Sequence, residues 1–292
     1  MLEGAEAVGM ELHGIFVPLI TPFGPDREVD LATLERLAHE VLDDGAAGLV
    51  ALGTTGEPGS LTADEQEAVV EVAARVARER DAPLIVGARA DLARRPEVTA
   101  ALSLVPPFVR PGEAGVVAHF EALAGEVPLV IYHVPYRTGQ ELSVAAIRRL
   151  AAIPGVIGMK YATGTVDVLG DLPAGFSLLG GDDPVISPML AIGAHGGILA
   201  SAHVATRSFA DLAAAWRDGD VARARTLGGP LADLSRALFA EPNPTVIKGV
   251  LHARGRIPTA AVRLPLLPAT RESVAEAGRL IGHHLQESGQ RR

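Results

Sequence analysis

The sequence predicts an α/β chain: a (β/α)8, or TIM, barrel with a C-terminal helical appendage. Three observations predict it. Eight short apolar runs recur between residues 14 and 202. Amphipathic segments that begin on helix-capping residues fall between them. Beyond residue 218 only helical patterning remains.

The runs are GIFVPLI (14–20), GLVALG (48–53), PLIVGA (83–88), ALSLVPP (101–107), PLVIYHV (128–134), VIGMKY (156–161), FSLLGGD (176–182) and GGILASA (196–202). Short runs apolar on both faces are what a buried parallel sheet requires. Asp30 opens a helical segment that closes at Gly45, and Thr62 opens another, with Glu65 three residues on as in a capping box. Ser143 and Asp183-Pro184 open two more. Eight such units read as a closed barrel. A doubly wound open sheet is the alternative, and the absence of GxGxxG after the first strand speaks against it. The expected division is a flexible N-terminal extension (1–12), a barrel (13–218) and a helical region (219–292), with helices near 219–240, 243–255 and 270–287. Two crossovers are short: RADLARRPEVTA (89–100), and the Ala162–Gly175 segment, weakened by Gly164, Gly170 and Pro173. A crossover needs about 10–12 residues, so neither leaves room for a full helix.

The composition bounds the function. Hydrophobic residues make up 48% of the 292, but aromatics only 4%, so the core is aliphatic. The formal charge of −9 argues against nucleic acid and against an anionic membrane surface as partners. There is no cysteine, which excludes disulfides, thiolate nucleophiles and Cys-ligated metals. The segment MLEGAEAVGMEL lacks the pattern of a signal peptide, and no apolar run reaches the roughly 20 residues of a membrane span. A cytoplasmic protein is the expectation.

Chemistry in such a barrel sits at the C-terminal strand ends. Of 26 basic residues other than histidine, two are lysine, Lys160 and Lys248. Lys160 ends an apolar run. An ammonium among aliphatic side chains is costly, so its pKa should fall, and a neutral amine can form a Schiff base with a ketone. Arginine cannot do this. The alternative is a snorkelling or ion-paired lysine. Tyr132 ends the adjacent strand, where it either relays protons or is a core tyrosine with a satisfied hydroxyl. GTTGE (53–57) offers hydroxyls and backbone N–H groups suited to a carboxylate, or is an ordinary turn. Arg137 either holds a carboxylate or is a solvated loop residue. His133 alternates away from Tyr132, towards the helices. His195 and His203 with Asp182 and Asp183 lack a compact metal-binding spacing, which disfavours a metal site. The glycine pairs 180–181 and 196–197 fit close packing at strand ends better than a phosphate site.

Assembled in order, these pieces resemble the dihydrodipicolinate synthase / N-acetylneuraminate lyase family of class I, Schiff-base aldolases. The resemblance runs from about Gly14 to Pro268. It rests on TPF (21–23), GTTGE, RPGEAG (110–115), YHVPYRTG (132–139), GMKYATG (158–164), LLGGDD (178–183), LFAEPNP (238–244) with Lys248, and VRLPLLP (262–268). RTG and EPNP point to the synthase branch, and so to lysine biosynthesis.

The resemblance implies an imine between Lys160 and pyruvate, with Tyr132 as proton relay and Thr55 as its hydrogen-bonded partner. Thr54 and Thr55 would hold the pyruvate carboxylate, and Gly181 and Ile198 would line its pocket. Arg137 would hold the carboxylate of the incoming aldehyde, aspartate semialdehyde in the synthase. It implies no metal, no organic cofactor and a homotetramer built as a dimer of dimers. The chain also departs from the pattern. Phe108 stands where the synthases place a relay tyrosine donated across a tight dimer interface. His133 replaces a carboxamide and Tyr161 an acid. Pro58, Ala63 and Gln66 replace residues that bind feedback lysine, so that regulation is expected to be lost. Both short crossovers are shorter than in the family. These departures keep two alternatives open: a related aldolase or dehydratase for another aldehyde or 2-keto-3-deoxy acid, and a pyruvate-binding paralogue without catalysis.

Overall fold

The computed structural model describes residues 11–87, 91–125, 127–163 and 172–289. Eight parallel strands close into a barrel in sequence order: β1 (Gly14–Pro18), β2 (Gly48–Ala51), β3 (Leu84–Gly87), β4 (Ala100–Leu104), β5 (Leu129–His133), β6 (Val156–Tyr161), β7 (Ser177–Gly180) and β8 (Gly196–Ile198). β8 pairs back onto β1 through Gly14↔Gly196 and Phe16↔Ile198. The expected barrel is therefore present and the open sheet is not. Each of the eight apolar runs coincides with a strand, β4 starting one residue before its run, and most strands stop before the run does.

Helices α1 (Leu31–Asp43), α2 (Ala63–Glu79), α3 (Gly112–Leu123), α4 (Pro135–Thr138), α5 (Val144–Ala151), α6 (Ile186–Ala191) and α7 (Ala202–Arg217) surround the sheet. Their starts are chemical. Asp30 caps α1 by accepting the Thr33 N–H, and Ser143 caps α5 by accepting the Ala146 N–H. Thr62 and Glu65 form the reciprocal capping box of α2. Asp183 opens a 3-10 turn that runs into α6.

The crossover after β3 contains one 3-10 turn, Leu92–Arg94, and no α-helix among its described residues. Of the second short crossover, residues 164–171 lie outside the described set, as do residues 1–10 of the expected N-terminal extension. Leu12 belongs to the body of the protein: it is buried and donates its N–H to Ser177 Oγ at the base of the barrel.

Strand alternation separates two apolar layers. Val17, Leu49, Val86, Ala101, Ile131, Met159 and Leu178 face the helices. Phe16, Val50, Ile85, Leu102, Val130, Tyr132, Leu179 and Ile198 fill the barrel. A third cluster joins Ile20, Leu37 and Ala200 to the C-terminal helices α8 (Val221–Leu238), α9 (Thr245–Ala253) and α10 (Arg271–Gly289). That contact brings the chain after α9 back over the mouth of the barrel.

Candidate active site

The site begins with strand register. Tyr132 on β5 pairs with Lys160 on β6, which pairs with Leu179 on β7. Equal register on neighbouring parallel strands points all three side chains into the barrel. Lys160 Nζ lies 4.5 Å from the centre of the Tyr132 ring, and both residues are about nine-tenths buried. Gly181, just past β7, leaves room for the lysine stem. A Cβ there would lie 2.7 Å from Lys160 Cγ and 2.8 Å from Cε. Ile198 is fully buried in the same interior layer.

Burial pulls Lys160 down to about 8, with Arg137 acting in the same direction and Asp183 against it. At pH 7 roughly one amine in ten is then neutral, against roughly one in three thousand for an exposed lysine. Burial also raises the Tyr132 pKa, so the phenol stays protonated at neutral pH; Arg137 and the Thr54 hydroxyl oppose that shift. Asp183 is buried and pushed up to about 6, mainly by desolvation, while its bond from the Ser201 N–H works the other way.

The turn after β2 is pinned from several sides. Thr54–Gly56 form a 3-10 turn. Thr21 Oγ1 donates to the Gly56 carbonyl at 2.7 Å. Thr54 is exposed at the mouth and Thr55 is buried. The hydroxyl that acts on Tyr132 is that of Thr54. Thr55 Oγ1 instead accepts a hydrogen bond from Asn243 Nδ2 at 2.9 Å. The partner expected for Tyr132 was Thr55, and the turn geometry presents its neighbour.

Glu57 closes the turn in the left-handed region (φ 55°) and is buried. It meets the chain's second lysine: Lys248 Nζ donates to Glu57 Oε1 at 2.5 Å and to the Ala261 carbonyl at 3.0 Å. The Arg263 N–H donates to Glu57 Oε2, and its guanidinium grips Glu65 at the start of α2 through two bonds of 2.7 Å. Both cations lie over the Phe23 ring. The two lysines thus differ in surroundings: Lys248 is paired, and Lys160 has no contacting carboxylate among the described residues.

A cleft of about 1230 Å³ borders this assembly: Thr54, Glu57, Tyr132, Arg137, Asn243 and Leu264 are among the residues that line it, and it continues along Val86 and Ala101 on the helix-facing side of the sheet. Arg137 stacks on Tyr136 and donates Nε–H to its hydroxyl. Phe108 lies in a left-handed conformation (φ 70°) and is 87% exposed, beside exposed Val109. His133 is buried on the helix-facing side near Tyr161, and its pKa falls to about 4 through desolvation.

Both histidines considered for a metal accept backbone hydrogen bonds. His203 Nε2 accepts the Ile20 N–H. His195, at the opposite end of the barrel from Asp183, accepts the Leu178 N–H through Nδ1. Asn243 and Glu57 also contribute, and in the sequence they stand out only as members of EPNP and GTTGE. The signal for Glu57 was the second lysine, whose partner no spacing rule identifies.

A barrel with a dry amine and a phenol at the C-terminal strand ends defines a class, the lyases of the class I aldolase type. The comparisons narrow it. Residues 11–284 match the sequence model of the dihydrodipicolinate synthetase family, and the chain belongs to that family. It is 37% identical to a 4-hydroxy-tetrahydrodipicolinate synthase of Azoarcus sp. (strain BH72), over 88% of this chain and 93% of the relative. Among solved structures it is similar to the chloride-inhibited dihydrodipicolinate synthase of Acinetobacter baumannii in complex with pyruvate. There the TM-score is 0.87 at 33% identity, over 92% of this chain and 99% of the other. It is equally similar in fold (TM-score 0.87, 28% identity, 98% and 99% covered) to a monomeric dihydrodipicolinate synthase variant.

Proposed function

We propose that the chain is a pyruvate-dependent, Schiff-base-forming synthase that condenses pyruvate with aspartate semialdehyde, giving 4-hydroxy-tetrahydrodipicolinate. One observation carries the reading: the Lys160 amine is dry, faces Tyr132 at 4.5 Å and has a pKa brought down to about 8.

The neutral Lys160 nitrogen adds to the pyruvate carbonyl carbon, and loss of water leaves a protonated imine. A proton leaves the methyl carbon and the C–H electron pair moves towards nitrogen, giving the enamine. The enamine carbon then attacks the aldehyde, whose oxygen takes up a proton. Finally the aldehyde's own amine displaces the lysine and closes the ring. Tyr132 supplies and removes protons in these steps. Thr54 and Thr55 hold the pyruvate carboxylate, and Arg137 holds that of the aldehyde. Gly181 and Ile198 shape the pocket.

Phe108 supports a second reading, a related aldolase or dehydratase acting on another aldehyde or keto acid, because phenylalanine has no hydroxyl to relay a proton. The pairing of Lys160 with Tyr132 speaks against a paralogue without catalysis.

The assembly we infer is a homotetramer. The exposure of Phe108 (87%), Val109 (73%) and Tyr136 (73%) on one chain supports a covering partner copy. A cytoplasmic site of action belongs to the same reading. Among the described residues no helix is long and apolar enough to cross a membrane.

Borohydride reduction with pyruvate, followed by intact mass, tests the chemistry. The wild type should gain one pyruvate-derived adduct and Lys160→Ala none. A wild type that stays unlabelled sinks the imine. Turnover of another aldehyde but not aspartate semialdehyde selects the second reading.

A further inference from the structure

We propose that Asp183 is the counter-charge of the Lys160 imine, a positioning residue that keeps the imine nitrogen protonated so that it can draw electrons from the pyruvate methyl carbon. The proposal rests on the Schiff-base reading above.

Asp183 follows β7 directly and is 2% exposed. Burying a carboxylate is costly without compensation. Its compensation comes from the end of β8, where the Ser201 N–H donates to Oδ2 at 2.7 Å. The carboxylate therefore joins two strand ends at the barrel mouth. Two residues earlier, Gly181 packs against the Lys160 stem and donates its N–H to the Tyr161 carbonyl at 2.7 Å. This short connection fixes Asp183 relative to Lys160. Neither group makes a contact ion pair among the described residues, yet each acts on the other's titration. The other charged or titratable groups acting on them are Arg137, Tyr132 and half-buried Asp182.

The charge balance of the reaction shows why such an anion matters. Amine, ketone and one proton give a cationic imine and water. The methyl proton then leaves, its electron pair flows to nitrogen, and the enamine is neutral. Positive charge thus appears and disappears at one atom in a dry pocket. An unprotonated imine is a poor electron sink, so a fixed carboxylate accelerates enamine formation. Arg137 acts in the opposite sense, which leaves Asp183 as the buried anion that balances it.

Asp183→Asn removes the charge and keeps an oxygen for the Ser201 N–H. Two quantities report on it: the pH dependence of borohydride trapping, and exchange of the pyruvate methyl protons for deuterium in heavy water. We expect Asp183→Asn to slow methyl exchange by about tenfold or more and to move the trapping midpoint to lower pH. Asp183→Glu should restore part of the rate, and Asp182→Asn should leave exchange within about twofold. An Asp183→Asn protein with wild-type melting behaviour, wild-type exchange and an unmoved midpoint overturns the proposal, as does an equal loss in Asp182→Asn. If Asp183→Asn does not fold, a folded Asp183→Glu protein that shows no exchange overturns it, and intermediate exchange supports it. A wild type without adduct overturns the Schiff-base reading itself. A labelled wild type with an indifferent Asp183→Asn overturns only the role of Asp183.

Discussion

Lys160 and Tyr132 are register partners on adjacent strands, with the amine 4.5 Å from the centre of the ring. Parallel pairing points both side chains to the same interior, so amine and phenol face one space from neighbouring strands. The ring face attracts a cation, while burial opposes one and brings the Lys160 pKa down to about 8.

The first prediction concerns Lys160. Lys160→Ala and Lys160→Arg should each lower kcat/KM by about 10,000-fold, since neither supplies a neutral amine. The wild-type kcat/KM should rise with pH towards about 8, as the amine loses its proton. Stability should follow the same group. Its folded pKa lies below its unfolded value near 10.5, so the unfolded chain binds more protons between these limits and the folded state gains stability as pH rises from about 8 to 10.5. Lys160→Met should therefore be more stable than wild type at pH 7, by up to about 3 kcal/mol. Denaturant titrations at pH 7 and pH 10 check this; equal gains at both would contradict the linkage.

Tyr132→Phe keeps the ring against the amine and removes the hydroxyl proposed to carry protons. We expect kcat to fall about 100- to 1,000-fold while borohydride labelling persists. Loss of labelling without loss of fold would mean that the phenol is needed earlier, in carbinolamine dehydration.

Lys248 and Glu57 form a fully buried pair 2.5 Å apart. Lys248→Ala should cost about 3–5 kcal/mol in chemical denaturation, because it strands a buried carboxylate. Removing both charges, with Lys248→Met and Glu57→Gln, should cost less than either single change. A strictly additive double mutant would show that the pair is not coupled.

Gly181→Ala places a methyl group 2.7 Å from Lys160 Cγ. Displacing a reacting group by about 1 Å can cost 100-fold. We expect a folded protein by circular dichroism with a loss of that order in kcat/KM. Unchanged kinetics would show that the lysine stem yields without penalty.

Phe108→Asp tests the exposed surface. Under the tetramer reading, light scattering after size exclusion should give a smaller mass than wild type. An unchanged mass would remove this surface from the interface.

The sequence by itself determined the barrel, because eight apolar runs separated by capped segments leave few other ways to bury both faces of a sheet. It also singled out Lys160, one of two lysines where every other Lys or Arg position holds arginine, as a candidate amine at the end of an apolar strand. Tertiary structure decided which groups meet. Whether Thr54 or Thr55 faces Tyr132 depends on the conformation of one 3-10 turn, and both residues carry the same hydroxyl. The partnership of Lys248 with Glu57, 191 positions apart, and the reach of Asn243 to Thr55 arise because the C-terminal helices fold back over the barrel mouth. Asp183 read as one of two adjacent acids until β8 brought Ser201 to its side. Local periodicity records which face of an element is buried; contacts between distant segments depend on how the closed barrel orients its strand ends, which no window of sequence contains.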